Sequence, residues 1–88
     1  MWFYVYILQS KKDNKLYTGC TKNLKSRLEM HNHGLVVSTK YRRPLALIYF
    51  EGYRVKEDAY KREKYLKSIF GKMYLKRRLK NTLLLKSI

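Results

Sequence analysis

Glu63 stands where a carboxylate is least expected. On a helical wheel it lies about 40° from Ala59, about 60° from Leu66 and about 20° from Phe70, inside an apolar stripe. A carboxylate on a buried face needs a partner, because unpaired burial is costly. Two partners suit it: an arginine of the preceding helical segment in a structural ion pair, or a divalent cation. Mg²⁺ is commonly held by only one or two carboxylates, with waters and substrate phosphates completing its shell, so one Glu suffices where phosphate is the substrate. Phosphate-binding cations must then lie close. Arg27 and His31 are spaced i, i+4 and flank Leu24 and Leu28 at the border of a helix's inner face, so they point together. Taken singly, one is a solvated charge and the other a border residue. As a pair they offer a bidentate phosphate clamp and a group that donates or transfers a proton near neutral pH.

Nine of the 88 residues are tyrosine. Tyr4, Tyr49, Tyr53, Tyr60, Tyr65 and Tyr74 read as packing bodies, since the strands and helices of a small protein need large amphipathic side chains. Tyr6 and Tyr17 fall near one end of the first hairpin. There a phenol lowered from its usual pKa of about 10 by neighbouring cations can take a proton from water.

The elements that carry these groups follow from local patterning. Trp2 to Leu8 is aromatic and β-branched on both alternating faces, which predicts a central strand covered on two sides. Residues 11–15 supply a polar turn, and Leu16 to Gly19 returns as a short second strand. Asn23 caps a helix from Leu24 through Asn32 that Gly34 stops. Residues 35–44 lack periodicity and read as a basic loop, and Leu45 to Phe50 follows as another two-sided strand. Apolar residues then recur at helical spacing from Lys56 to Ile69, Gly71 breaks the pattern, and Tyr74, Leu75, Leu79 and Leu83 restart it. Two helices close a chain that reads as one domain over residues 1–88.

Composition restricts the partner. Twenty-one Lys and Arg against six Asp and Glu leave a formal charge of +15, far beyond what solubility needs, so the surface seeks a polyanion. Past Glu63 there are only basic charges: Lys64, Lys67, Lys72, Lys76, Arg77, Arg78, Lys80 and Lys86. Lys40, Arg42 and Arg43 of the basic loop, with Lys67, Arg77 and Arg78, are the candidate nucleic-acid contacts. A basic amphipathic helix also suits an anionic lipid surface or a ribosomal contact, and charge alone does not separate these. One cysteine, Cys20, excludes an internal disulfide and a Cys-rich zinc module. With no apolar run near 18 residues and no basic leading region, neither a membrane span nor a secretion signal is expected, and the default location is cytoplasmic.

The order and spacing of several short strings add to this. Tyr4-Val5-Tyr6, ten intervening residues, Tyr17-Thr18-Gly19, then Asn23-Leu24, Arg27-Leu28 and His31 resemble the GIY-YIG nuclease domain. His31-Asn32, Ser38-Thr39-Lys40, Arg43-Pro44, Ala59, Arg62-Glu63-Lys64 and Leu66-Lys67-Ser68 resemble its small standalone bacterial members, whose domain is similar to the catalytic one of the excinuclease C subunit. The resemblance implies an α+β fold, a three-stranded antiparallel sheet flanked by helices, with Tyr6, Tyr17, Arg27 and Glu63 gathered on one surface. It implies that Glu63 holds one divalent cation, Mg²⁺ or Mn²⁺, that Arg27 stabilises the phosphate in the transition state and that one tyrosine activates water. Three positions depart from the family pattern. Tyr4 replaces the first motif glycine, Cys20 stands where some active relatives carry a lysine, and Leu75 stands where they often carry an asparagine. Lys40 is the candidate replacement for the missing lysine.

The expectation is a metal-dependent endonuclease that hydrolyses phosphodiester bonds of DNA, favoured over RNA, with structure-selective cutting in repair or recombination. No base-reading element accompanies the motifs, so phosphate contacts dominate and sequence preference is low. The alternative, favoured by Cys20 and Leu75, is a non-catalytic nucleic-acid-binding module on the same fold.

Overall fold

The computed structural model describes residues 1–85, so every basic residue of the C-terminal stretch except Lys86 lies within it. Three antiparallel strands, β1 (Phe3–Ser10), β2 (Leu16–Thr21) and β3 (Leu45–Tyr53), form a sheet in the order β2-β1-β3. Helix α1 (Leu24–Asn32) follows the first hairpin. Helices α2 (Lys56–Lys67), α3 (Ile69–Arg78) and the single turn α4 (Lys80–Leu83) follow the third strand. This is the α+β architecture expected.

The two-sided apolar strand is central because both its faces are covered. Val5 and Ile7 pack with Ala59, Leu66, Leu75 and Leu79 under α2 and α3. Tyr6 and Leu8 point the other way and pack with Leu45 and the half-buried Leu24 and Leu28 of α1. Alternation of period two thus serves two separate cores from one strand. Tyr6 pairs with Gly19 across the hairpin, and a Cβ on Gly19 would overlap the phenol carbon Cζ and oxygen of Tyr6. The ring therefore lies across β2, an edge strand, and delivers its hydroxyl to that edge.

Helix α1 begins and ends as its sequence dictates. The Asn23 side chain accepts from the Ser26 amide at 3.0 Å, and Gly34 takes φ +75° just past the end. Several boundaries differ from expectation. The second and third strands run on to Thr21 and Tyr53, and the basic loop contains a 3-10 turn over Val37–Arg42 that buries Thr39. The long second helix ends at Lys67, not Ile69, because Ser68 leaves the helical conformation and caps α3, accepting from the Gly71 amide at 3.2 Å. Gly71 is not the break; it is buried inside α3, where any Cβ would overlap the Tyr65 carbonyl and Leu66 Cα. It lets two helices meet at backbone distance. Phe70 accordingly leaves the stripe and is 72% exposed, and Tyr60 and Tyr65, expected as packing residues, are also exposed.

Candidate active site

The first hairpin and α1 bring four side chains into one hydrogen-bonded line. Thr39 and His31 are fully buried, and Tyr6 nearly so. His31 Nδ1 lies 2.7 Å from Thr39 Oγ1 and its Nε2 lies 2.9 Å from the Tyr6 hydroxyl. Arg27 Nε donates to the same phenol oxygen at 3.4 Å, and the Thr39 hydroxyl donates to the Val36 carbonyl at 3.4 Å. One direction of donation satisfies every atom: Thr39 to Val36, His31 Nδ1–H to Thr39, Tyr6 O–H to His31 Nε2, and Arg27 to Tyr6. This tautomer is assigned from the bonding pattern. Tyr17 joins by ring contact, its centroid 5.0 Å from that of His31 and 6.4 Å from that of Tyr6. Arg27 and His31 thus share a face as their spacing predicts, but His31 sits behind Tyr6 and has no surface of its own.

Electrostatics fix the protonation states. Burial, reinforced by the Arg27 charge, lowers His31 to about 4, so it is a neutral imidazole at physiological pH. Burial also raises Tyr6 and outweighs the Arg27 hydrogen bond, with the negative charge of Glu63 pushing further in the same direction. The expected lowering of a motif phenol by surrounding cations therefore fails at Tyr6. The physical reason is that its ring is sandwiched between β2 and α1, where loss of hydration exceeds what one guanidinium returns. Lys40 does not replace the missing lysine; it is exposed and lies over the Tyr41 ring, 5.5 Å from its centroid.

Glu63 lies on α2, which packs against β1 and β2, and its negative charge is among the influences that raise Tyr6 and Cys20. Its side chain is 22% exposed and pairs with Lys67 Nζ at 3.1 Å, one helical turn on. It forms no ion pair with Arg27. The structural ion pair anticipated for a buried acid belongs to Glu51 instead. The Glu51 carboxylate accepts from Arg62 Nε at 2.8 Å and from the hydroxyls of Tyr49 and Tyr53, both at 2.6 Å. Burial pushes Glu51 up, yet these donors together hold it at about 2. Period-two spacing of Tyr49, Glu51 and Tyr53 on one strand face was the available signal for this cluster.

Among the described residues no three of His, Cys, Asp and Glu converge as a metal cage. A single half-buried carboxylate with hard oxygen donors, held only by a solvent-exposed lysine, fits a divalent ion that keeps most of its waters. Glu63 would hold such an ion.

The candidate nucleic-acid contacts divide into two groups. Lys40, Arg43, Arg77 and Arg78 are exposed, and Lys67 is the partner of Glu63. Arg42 is tied inward: Nε lies 3.4 Å from Asp13 without hydrogen-bond geometry, and its backbone carbonyl accepts from Ser10 Oγ at 2.6 Å. It anchors the basic loop to the first hairpin. Thr39, which sets the other side of His31, was visible in the sequence only as the middle of Ser38-Thr39-Lys40.

Comparison with known proteins identifies the family and the fold. A GIY-YIG catalytic domain profile matches residues 2–81. A UPF0213 protein of Clostridium perfringens is 46% identical over 67 residues, covering 75% of this chain and 71% of its own length. A UPF0213 protein of Staphylococcus haemolyticus is 43% identical over 74 residues, covering 83% and 89%. The solution NMR structure of a UPF0213 protein from Bacillus halodurans superposes with a TM-score of 0.53 at 35% identity, covering 85% of this chain and 82% of that one. With matching motifs, matching fold and a profile spanning nearly the whole sequence, the chain belongs to the GIY-YIG catalytic domain family.

Proposed function

We propose that the protein is a divalent-metal-dependent endonuclease that hydrolyses phosphodiester bonds of DNA. The observation that carries this reading is the Arg27 Nε contact to the Tyr6 hydroxyl, backed by His31 and Thr39, in a chain matched by the GIY-YIG catalytic domain profile over residues 2–81. Arg27 uses Nε on the phenol, and its terminal nitrogens suit a phosphoryl group whose charge builds during attack. A divalent ion on Glu63 supplies Lewis-acid stabilisation of that same charge when bound.

His31 acts through Tyr6, holding the hydroxyl in place with a neutral acceptor. Proton removal from the attacking water falls to the tyrosine pair, and Tyr6 accepts that proton only as a phenolate, after its own proton has left the hydrogen bond to His31. The exposed cations favour phosphate contacts over base reading, which supports structure-selective cutting in DNA repair or recombination. A second reading, a binding module that does not cut, draws on the burial that raises Tyr6.

Incubation with branched, nicked and single-stranded DNA, with and without Mn²⁺, separates the two. Glu63→Gln keeps volume and hydrogen bonding but removes the charge a hard cation requires. Metal-dependent cleavage that drops by several decades in this variant, with DNA still bound, supports the nuclease. A wild type that binds every substrate and cuts none establishes the binding module.

A further inference from the structure

A groove of about 750 Å³ runs along the open edge of β2, between the first hairpin and the helices α2 to α4. Its rim carries Lys15, Lys67, Lys72 and Lys76, and no acidic residue lines it. Its floor is aliphatic, with the half-buried Leu16 and Leu83 lying over the core residues Leu66 and Leu75. Tyr17 also lines it, and Lys67 belongs both to the groove and to the Glu63 ion pair. The groove is therefore continuous with the candidate active site.

Its chemistry specifies an occupant that is anionic along one side and apolar along the other. A double helix does not satisfy this, since it presents hydrated phosphates on a convex surface and hides the faces of its bases. An unpaired strand does, because lysines can follow its phosphates while an unstacked base lies on apolar side chains. The volume falls within the range of ligand-sized clefts, roughly 300 to 1,000 Å³, which suits a splayed nucleotide.

We propose that this groove is the channel for an unpaired strand leaving the scissile phosphate, with Lys15, Lys72 and Lys76 as its phosphate contacts. The inference rests on the nuclease reading and narrows its substrate to DNA that is single-stranded on one side of the cut.

Binding in EDTA, where nothing is cleaved, tests it. Fluorescence anisotropy is measured with a short oligothymidylate and with a blunt hairpin duplex, on wild type and on Lys72→Glu with Lys76→Glu. A control, Arg54→Glu with Lys61→Glu, changes the net charge equally on exposed residues away from the groove. Groove reversal is expected to weaken oligothymidylate roughly tenfold and to reduce the steepness of its salt dependence by about 1.4, the value for two lost single-strand contacts. The control weakens it far less, and the hairpin responds alike to both double variants. Equal losses of oligothymidylate in the two double variants overturn the groove while leaving the nuclease reading standing. Loss of polyglutamate binding on groove reversal, with oligothymidylate unaffected, overturns it in favour of an acidic protein partner. If wild type binds neither DNA, the nuclease reading itself fails and the groove inference falls with it.

Discussion

Tyr6 is the residue on which the candidate site turns, because one hydroxyl both donates to His31 and accepts from Arg27. Tyr6→Phe removes both bonds and leaves the Nε2 of a fully buried imidazole without a donor, at a cost of about 1 to 3 kcal/mol. Tyr17→Phe strands no such group. The first variant should therefore melt lower and lose about two to four decades in cleavage, while the second keeps its melting temperature. Tyr6→Phe with wild-type rates would remove the phenol from the chemistry. His31 makes a separate prediction about pH. Its folded value of about 4 lies below the roughly 6.5 of an unfolded histidine, so the unfolded chain takes up the proton first. Stability should be complete above about pH 6.5 and should fall by on the order of 1 to 3 kcal/mol as pH drops towards 4. The contribution of Glu51, depressed to about 2, is lost at still lower pH, below about 4.5. Thermal melts between pH 7 and 4 read the histidine directly, and a flat profile contradicts its buried neutral state. At this scale the sequence was informative about which residues meet, through the i, i+4 spacing of Arg27 and His31. It was misleading about the electrostatics of His31 and Tyr6, because the burial that shifts both comes from strands and helices distant in sequence.

The elements position these groups through two close approaches that only glycine permits. Gly19 lets the Tyr6 ring cross β2, and Gly71 lets α3 start against the end of α2. In Gly71→Ala the new methyl meets backbone atoms of Tyr65 and Leu66, which cannot rotate away as a side chain can. The helices must separate, and the resulting loss of packing around Leu66 and Leu75 should cost about 3 kcal/mol, the upper end of the usual overpacking range. Chemical denaturation measures this, and an alanine variant of wild-type stability would contradict the packing at that junction. The same junction explains which elements were legible. β1 and α1 announce themselves by local signals, a two-sided apolar run and an asparagine cap. The α2–α3 boundary does not, because Ser68 and Gly71 read alike as breakers. Which of them interrupts the helix depends on the contact between the two helices themselves. Glu63 was placed inside an apolar stripe and is half-buried, but Phe70 was assigned to that stripe only by extending α2 through a serine that caps its successor.

The whole molecule presents its charge unevenly. Six acids face twenty-one basic residues, and the half-buried pair Glu51–Arg62 takes up one of each, which leaves the net +15 unchanged. No helix among the described residues is long and apolar enough to cross a membrane. Association with DNA through such a surface releases counterions in proportion to the phosphates touched. If about six contacts form, affinity should fall on the order of a thousandfold between 50 and 200 mM salt. Arg77 and Arg78, exposed at the end of α3, contribute to this field. Arg77→Ala with Arg78→Ala should weaken every sequence equally and lower the salt slope on duplex by up to about 1.8, since each lost contact removes about 0.9. The comparison is made by titrating two duplexes of unrelated sequence over the same salt series. Parallel losses support a surface that recognises the backbone alone. A loss confined to one duplex would mean that α3 reads base edges, and a flat salt response in wild type would exclude electrostatic attraction as the source of binding.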